Sequence, residues 1–181
     1  MRILKKQDIG PKVVDEILAG AVFIYPTDTI YGIGCVADDD ASVKRIRDIK
    51  ARDKKPFSVI APSIDWIKSH CVLSDAAKKW LLKLPGPYTL VLPLKGHCVS
   101  ISANMGLNSL GVRIPDHWIS NLVEKLGKPL ITTSVNVSGE NAGSTLLDLQ
   151  RFDVDFIIFE GLLDNRPSAV VELRNGERIL R

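Results

Sequence analysis

Apolar residues recur along this chain at two different spacings, and the switches between them mark its elements. Val13, Val14, Ile17 and Leu18 repeat at helical intervals behind Pro11 and ahead of Gly20, which predicts a first helix with one buried stripe. The run "AVFIY" (21–25) is too short and too uniformly apolar for a helix and reads as a buried strand. Val43, Ile46 and Ile49 restore the helical spacing behind Asp40 as a cap, with the charged positions on the opposite side. "FSVIA" (57–61) is again a strand. Helices are expected over 64–69 and 75–84, the second opened by Ser74 and closed by Pro85-Gly86.

Farther on, "YTLVLPL" and "LGVRI" have the β-branched and aromatic content of strands, and Pro93 places the end of the first at an edge or a bulge. A helix over 117–126 follows, with Asp116 as cap and Gly127 just past its end. "PLITTSVN" is a strand, 145–151 a short helix and "DFIIFE" a buried strand. In "AVVELRNGERILR" the Asn175-Gly176 pair predicts a hairpin with a type I′ turn. Interleaved helices and strands with one antiparallel hairpin predict an α/β fold: a single domain over 1–181 whose mixed, twisted open β-sheet is flanked by helices.

Composition narrows the class. At 181 residues, with 45% hydrophobic and 25% charged, the chain has the balance of an ordinary soluble domain. Its apolar runs fall far short of the roughly 20 residues a membrane-spanning helix needs. "MRILKKQDIG" has no apolar stretch ahead of a cleavage site, so a cytoplasmic protein is expected. Cys35, Cys71 and Cys98 are odd in number and widely spaced, which speaks against a disulfide framework and a structural zinc site. His70, His97 and His117 stand in no metal-like spacing, so no metal site is expected. The net charge is +3, but the cations cluster: Lys44, Arg45, Arg47, Lys50, Arg52, Lys54 and Lys55 face only Asp48 and Asp53. Such a cluster can attract phosphates.

Candidate chemistry sits at strand ends. "YPTDTIYGIG" (25–34) crowds hydroxyls, a carboxylate and a phenol behind an apolar strand, where open α/β sheets bind ligands. Its tail "GIGCVA" fits the G-x-G-x-x-G/A pattern. The intervening residues and the Asp38–Asp40 run argue against a dinucleotide site, because a pyrophosphate there would meet negative charge. Lys50 and Arg52 converge on one side only if the preceding helix ends near Ile49. Ser134 and Asn136 share that i, i+2 geometry, with Ser138-Gly139 adding a turn. Arg113, inside an apolar strand, demands an anion, either a structural carboxylate or that of a substrate.

Taken in order, "PTDTIYGIGC", "KAR" followed by "KPF", "PGPYTLVL", "VRIP", "TTSVNVSG", "PSAVVEL" and "ILR" resemble the YrdC-like threonylcarbamoyl-adenylate synthases, from about residue 10 to 181. The resemblance implies the single-domain form, without the further C-terminal domain of the longer synthases. It implies an enzyme that joins L-threonine, bicarbonate and ATP, the nucleotide carrying Mg2+, into threonylcarbamoyl-adenylate and pyrophosphate. A separate transferase would then use that product to modify adenosine 37 of tRNA. By this resemblance Lys50, Arg52, Ser109, Ser134, Asn136, Ser144 and Arg181 would hold ATP, with Lys50 and Arg52 catalytic. Thr27, Thr29, Tyr31, Arg113 and Ser168 would form the threonine site. Two positions depart from the family pattern: Ala61 stands where some members have His, and Asp28 where many have Glu. The basic stretch 44–55 also supports a different class, a double-stranded RNA or tRNA binding module without synthase activity.

Overall fold

The apolar strands of the sequence assemble edge to edge. The computed structural model describes residues 1–51, 55–137 and 140–180. Its strands are β1 Arg2–Leu4, β2 Phe23–Tyr25, β3 Gly32–Gly34, β4 Ser58–Ile60, β5 Tyr88–Pro93, β6 Ser109–Arg113, β7 Leu130–Ser134, β8 Phe156–Ile158, β9 Ala169–Glu172 and β10 Arg178–Ile179. Its helices are α1 Pro11–Leu18, α2 Asp40–Ile49, α3 Ile64–His70, α4 Asp75–Leu81, α5 Ile101–Asn104, α6 Ile119–Leu126 and α7 Leu146–Leu149. The strands join in the order β1-β8-β2-β3-β7-β4-β6-β5-β9-β10. Parallel pairs (β1·β8, β2·β8, β4·β6, β5·β9) are interspersed with antiparallel ones, giving the mixed open sheet that the sequence predicts.

Each strand side chain points to one of two faces, and the faces are packed unequally. One face carries Ile24, Ile33, Val59, Leu90, Leu92, Val112, Ile131 and Ile157 against α2, α3, α4, α5 and α7, through residues such as Ile46, Ile67, Trp80, Ala103 and Leu149. The other carries Phe23, Tyr25, Ile60, Leu130, Phe156 and Ile158 against α1 and α6, through Ile17, Ile119 and Val123. Ser58 lies two residues from Ile60, and Thr132 two from Leu130, so both belong to this second face but beyond its apolar cluster. The functional site stands on that extension.

Several elements differ from their sequence expectation for physical reasons. "GIG" is a strand, not part of a loop. Gly32 lies under the Tyr25 ring, and a Cβ on Gly34 would stand 2.0 Å from the carbonyl oxygen of Ile131. These glycines serve close strand approach. The cap of α2 is Asp39, whose carboxylate accepts from the amides of Ala41 and Ser42, while Asp40 pairs with Lys44 at 2.8 Å. Trp118, not Asp116, occupies the N-cap position of α6. Helices α4 and α7 are shorter than predicted. Pro93 ends β5, two residues past the last β9 partner, so an interior strand has a local edge there. The Arg178–Glu172 register leaves Leu173–Glu177 as the hairpin loop; only Gly176 in it has positive φ, which excludes a two-residue I′ turn.

Cys35 and Cys71 are buried and Cys98 half-buried, all as free thiols. Burial pushes all three above the usual thiol range, and Cys35, beside the glycine strand, is fully buried. No helix among the described residues is long and apolar enough to cross a membrane.

Two outcomes follow from this packing. Gly34→Ala forces β3 off β7 and is expected to cost about 2–3 kcal/mol in denaturant unfolding, whereas an unchanged midpoint would show that the strands can part freely. At pH 8 Cys35 is expected to resist a thiol-specific reagent in the native protein and to react once unfolded, as read by mass spectrometry of its peptide.

Candidate functional site

Where α1 and α6 no longer cover the second face, its side chains include several hydroxyls and one guanidinium beside the aliphatic Val170. Thr132 and Ser134 of β7, Ser58 of β4, Arg113 of β6 and Thr89 of β5 line a cleft of about 810 Å3, with Gly32 of β3 and Ser168 just before β9. Gly111 lies between two of these lining residues: a Cβ there would meet Ser58 Oγ at 2.3 Å and Thr89 Cγ2 at 3.4 Å. Register pairs Ser58 with both Gly111 and Thr132, so the polar groups form rows across neighbouring strands.

At one end lies Arg113, 5% exposed. Its guanidinium makes an ion pair with Asp28, and Nη1 and Nη2 each stand 3.4 Å from Thr29 Oγ1. Of the two anions that the sequence allows for this arginine, the protein itself supplies one, Asp28. The other Asp28 oxygen accepts from the Asp116 amide at 3.0 Å, pinning the chain beyond β6. A hydroxyl-stapled turn delivers Asp28 and Thr29 to this position. Thr27 Oγ1 donates to the Ile30 carbonyl at 2.7 Å, accepts from the Thr29 amide at 3.1 Å and lies 3.0 Å from Thr29 Oγ1. Thr27 and Thr29 are both buried and both line the cleft.

Tyr31, also in the lining, donates its phenol to the Gly161 carbonyl at 2.8 Å and accepts from the Glu160 amide at 3.0 Å. Burial raises its pKa, so the phenol stays protonated and acts as a tie between the turn and the segment after β8. Ser168 Oγ lies 2.8 Å from Thr89 Oγ1. The threonine-site residues drawn from the resemblance are thus gathered around one cleft.

The nucleotide set is more dispersed. Helix α2 ends at Ile49, as convergence of the K-x-R pair requires, and Lys50 is its C-cap. Lys50 is 1% exposed and lies behind the cleft wall. Its ammonium donates to the Ser134 carbonyl, to the Asn136 carbonyl at 2.7 Å and to Asn136 Oδ1 at 3.1 Å. Ser134 and Asn136 themselves line the cleft. Ser144 lies outside the lining, its amide 3.3 Å from Asp148 Oδ2. Ser109 sits at the other end of β6 from Arg113, on the same face, and accepts from Arg174 at 3.4 Å. Arg52 and Arg181, like the Ser138-Gly139 turn, lie outside the described residues.

The basic run is largely engaged within the protein. Lys44 pairs with Asp40 and Arg45 with Asp155. Arg47 donates to the Ser102 and Lys55 carbonyls at 2.7 and 3.2 Å and lies over the Phe57 ring. Lys55 lines the cleft.

Residue-by-residue reading of the sequence misses Ser58, Thr89, Thr132 and Gly111. A signal for them exists: in "FSVIA", "YTLVLPL" and "PLITTSVN" one alternating face carries hydroxyls where a covered strand would be apolar.

Comparison with known proteins shows the family and the fold. The Sua5/YciO/YrdC family model, described as telomere recombination, matches residues 15–181. Sua5 of P. abyssi superimposes with a TM-score of 0.89 at 26% identity, over 100% of this chain and 57% of that one. The same protein complexed with L-threonine gives 0.86 at 26% identity, over 99% of this chain and 56% of that one. This chain therefore spans somewhat over half the length of Sua5. YciO of E. coli aligns at 0.85 and 25% identity, over 99% of this chain and 92% of that one. A full-length HypF in its phosphate- and nucleotide-bound form aligns at 0.82 and 25% identity, over 94% of this chain and 28% of that one. With the family model spanning nearly the whole sequence, and a hydroxyl-lined cleft on the same fold, the chain belongs to the Sua5/YciO/YrdC family.

Proposed function

We propose that this protein is an L-threonylcarbamoyladenylate synthase. The observation that carries the reading is the buried Arg113, held by Asp28 and Thr29 at one end of a cleft that also contains Ser134 and Asn136. A fixed guanidinium suits an amino-acid carboxylate, since its planar fork presents parallel donors. The hydroxyls of Thr27, Thr29, Thr89 and Ser168 beside it suit the ammonium and hydroxyl of threonine. Support also comes from Sua5, which binds L-threonine, and from HypF, which has a nucleotide-bound form.

The chemistry asks for position more than for a strong base. The threonine amine adds to the carbon of bicarbonate-derived CO2 and loses a proton, giving a carbamate. A carbamate oxygen then attacks the α-phosphorus of ATP, and pyrophosphate leaves with its bridging electron pair. Holding the three reactants in one cleft converts a termolecular problem into a local one, and the amide donor of Asn136 stabilises charge on the leaving group. Mg2+ enters as part of the nucleotide substrate. The product, a mixed anhydride, is a carbamoyl donor for a separate tRNA threonylcarbamoyl transferase, and a cytoplasmic location goes with that role. The rival RNA-binding reading draws little support, because Lys44, Arg45, Arg47 and Lys50 are engaged in the contacts described above.

Purified protein given ATP, L-threonine and bicarbonate is expected to release pyrophosphate and form threonylcarbamoyl-adenylate, detected by mass. Pyrophosphate release indifferent to threonine would refute the assignment. Arg113→Lys keeps the charge against Asp28 but loses the fork, and is expected to raise KM for threonine roughly tenfold with little change for ATP. Asp28→Asn leaves a buried cation without its counter-ion. It is expected to cost about 3–5 kcal/mol of stability and to weaken threonine binding, measured by thermal unfolding and calorimetric titration; unchanged values in both would show that Asp28 does not set Arg113.

A further inference from the structure

We infer that Lys50 is a positioning residue: its ammonium fixes the carboxamide of Asn136 so that an N–H, and not an oxygen, faces the cleft. The inference refines the nucleotide end of the proposed synthase and rests on that reading for its consequence, though the orientation itself is a property of the free protein.

The geometry leads there in steps. Lys50 closes α2 and is followed by Ala51 at φ +46, a left-handed conformation that alanine adopts only when its surroundings enforce it. The Lys50 side chain lies buried beneath the loop after β7, at 1% exposure. There the ammonium meets the Ser134 carbonyl, the Asn136 carbonyl and Asn136 Oδ1. Carbonyls of residues two apart that point to one spot repel each other, and a cation between them removes the repulsion. The same cation dictates which end of the carboxamide turns inward, because its –NH2 end carries only donors and would face another donor. Ser134 Oγ adds a second donor to Oδ1 at 2.5 Å. On the outer end Nδ2 gives one hydrogen to the Glu140 carbonyl at 2.8 Å, which leaves its second for a ligand of the cleft that Asn136 lines.

The wall therefore has a fixed polarity. Ser134, its proton committed to Asn136, offers lone pairs; Asn136 offers a donor, suited to a phosphate oxygen. Lys50 acts on the nucleotide through this amide, from behind it.

The first test needs no activity. In amide-correlated NMR spectra of the free wild-type protein, the two Asn136 carboxamide hydrogens, assigned by their loss in Asn136→Asp, are expected as a dispersed pair. In Lys50→Met that pair is expected to collapse toward the positions of exposed amides; an unchanged pair overturns the inference. The second test is calorimetric titration with ATP. Lys50→Met and Asn136→Ala are each expected to weaken ATP by on the order of tenfold, with the double variant no weaker than the singles. Losses that multiply would mean that Lys50 reaches ATP independently of Asn136, and the inference falls. If Lys50→Met does not fold, the wild-type protein decides. On ATP addition the Asn136 amide signals are expected to shift while the Lys50 15Nζ signal stays in place, and a coupling between Lys50 Nζ and phosphorus would overturn the proposal. Failure of wild-type protein to bind ATP at all would remove the synthase reading while the free-protein spectra still test the orientation.

Discussion

A sheet of this width must bury two faces, and the chain supplies enough apolar helix surface for one of them and only part of the other. On the second face α1 and α6 reach as far as Ile60 and Leu130, and there the apolar cluster stops. Past that line a fully aliphatic face would expose a large greasy patch, and bulky side chains would fill the space. Hydroxyls of Ser58, Thr89, Thr132 and Ser134, with Gly111 between Ser58 and Thr89, satisfy both demands. The cleft is the consequence of incomplete coverage, and its chemistry follows from the residues that tolerate such coverage.

Arg113 and Lys50 are both buried beside this cleft, and they are held in different ways. Arg113 is paired with a carboxylate, so its end of the cleft combines directional donors with a charge already balanced by Asp28. Lys50 donates to carbonyl and amide oxygens of Ser134 and Asn136, contacts that orient its ammonium. Burying either cation alone would cost several kcal/mol. The distinction assigns the two ends to different tasks: recognition of a shape at Arg113, and orientation of the wall at Ser134 and Asn136.

Much of the fold is legible in the sequence where local and tertiary preferences coincide. The α2 stripe of Val43 and Ile46, its acidic start and its end at Ile49 all follow from periodicity and capping chemistry. The strand at Gly32–Gly34 does not, because glycine has low intrinsic strand preference and its reason for being there, the Tyr25 ring and the Ile131 carbonyl, lies elsewhere in the chain. Asn175-Gly176 misleads in the same way: a strong local turn signal gives way to a register set by β9 and β10. In the site, the need of Arg113 for an anion is legible from burial physics, but the choice of Asp28 depends on a turn stapled by Thr27. The direction of Lys50 was equally out of reach, since the same side chain on a helix end can point to solvent or inward.

Helix α2 anchors two neighbouring stretches of the cleft lining from its C-terminal end. Arg47 holds the backbone of Lys55 and the ring of Phe57 just before β4, and Lys50 holds Ser134 and Asn136 at the end of β7. Because β4 and β7 are paired strands, both anchors bear on the same corner of the cleft. A shift of this one helix is therefore transmitted to both lining segments together.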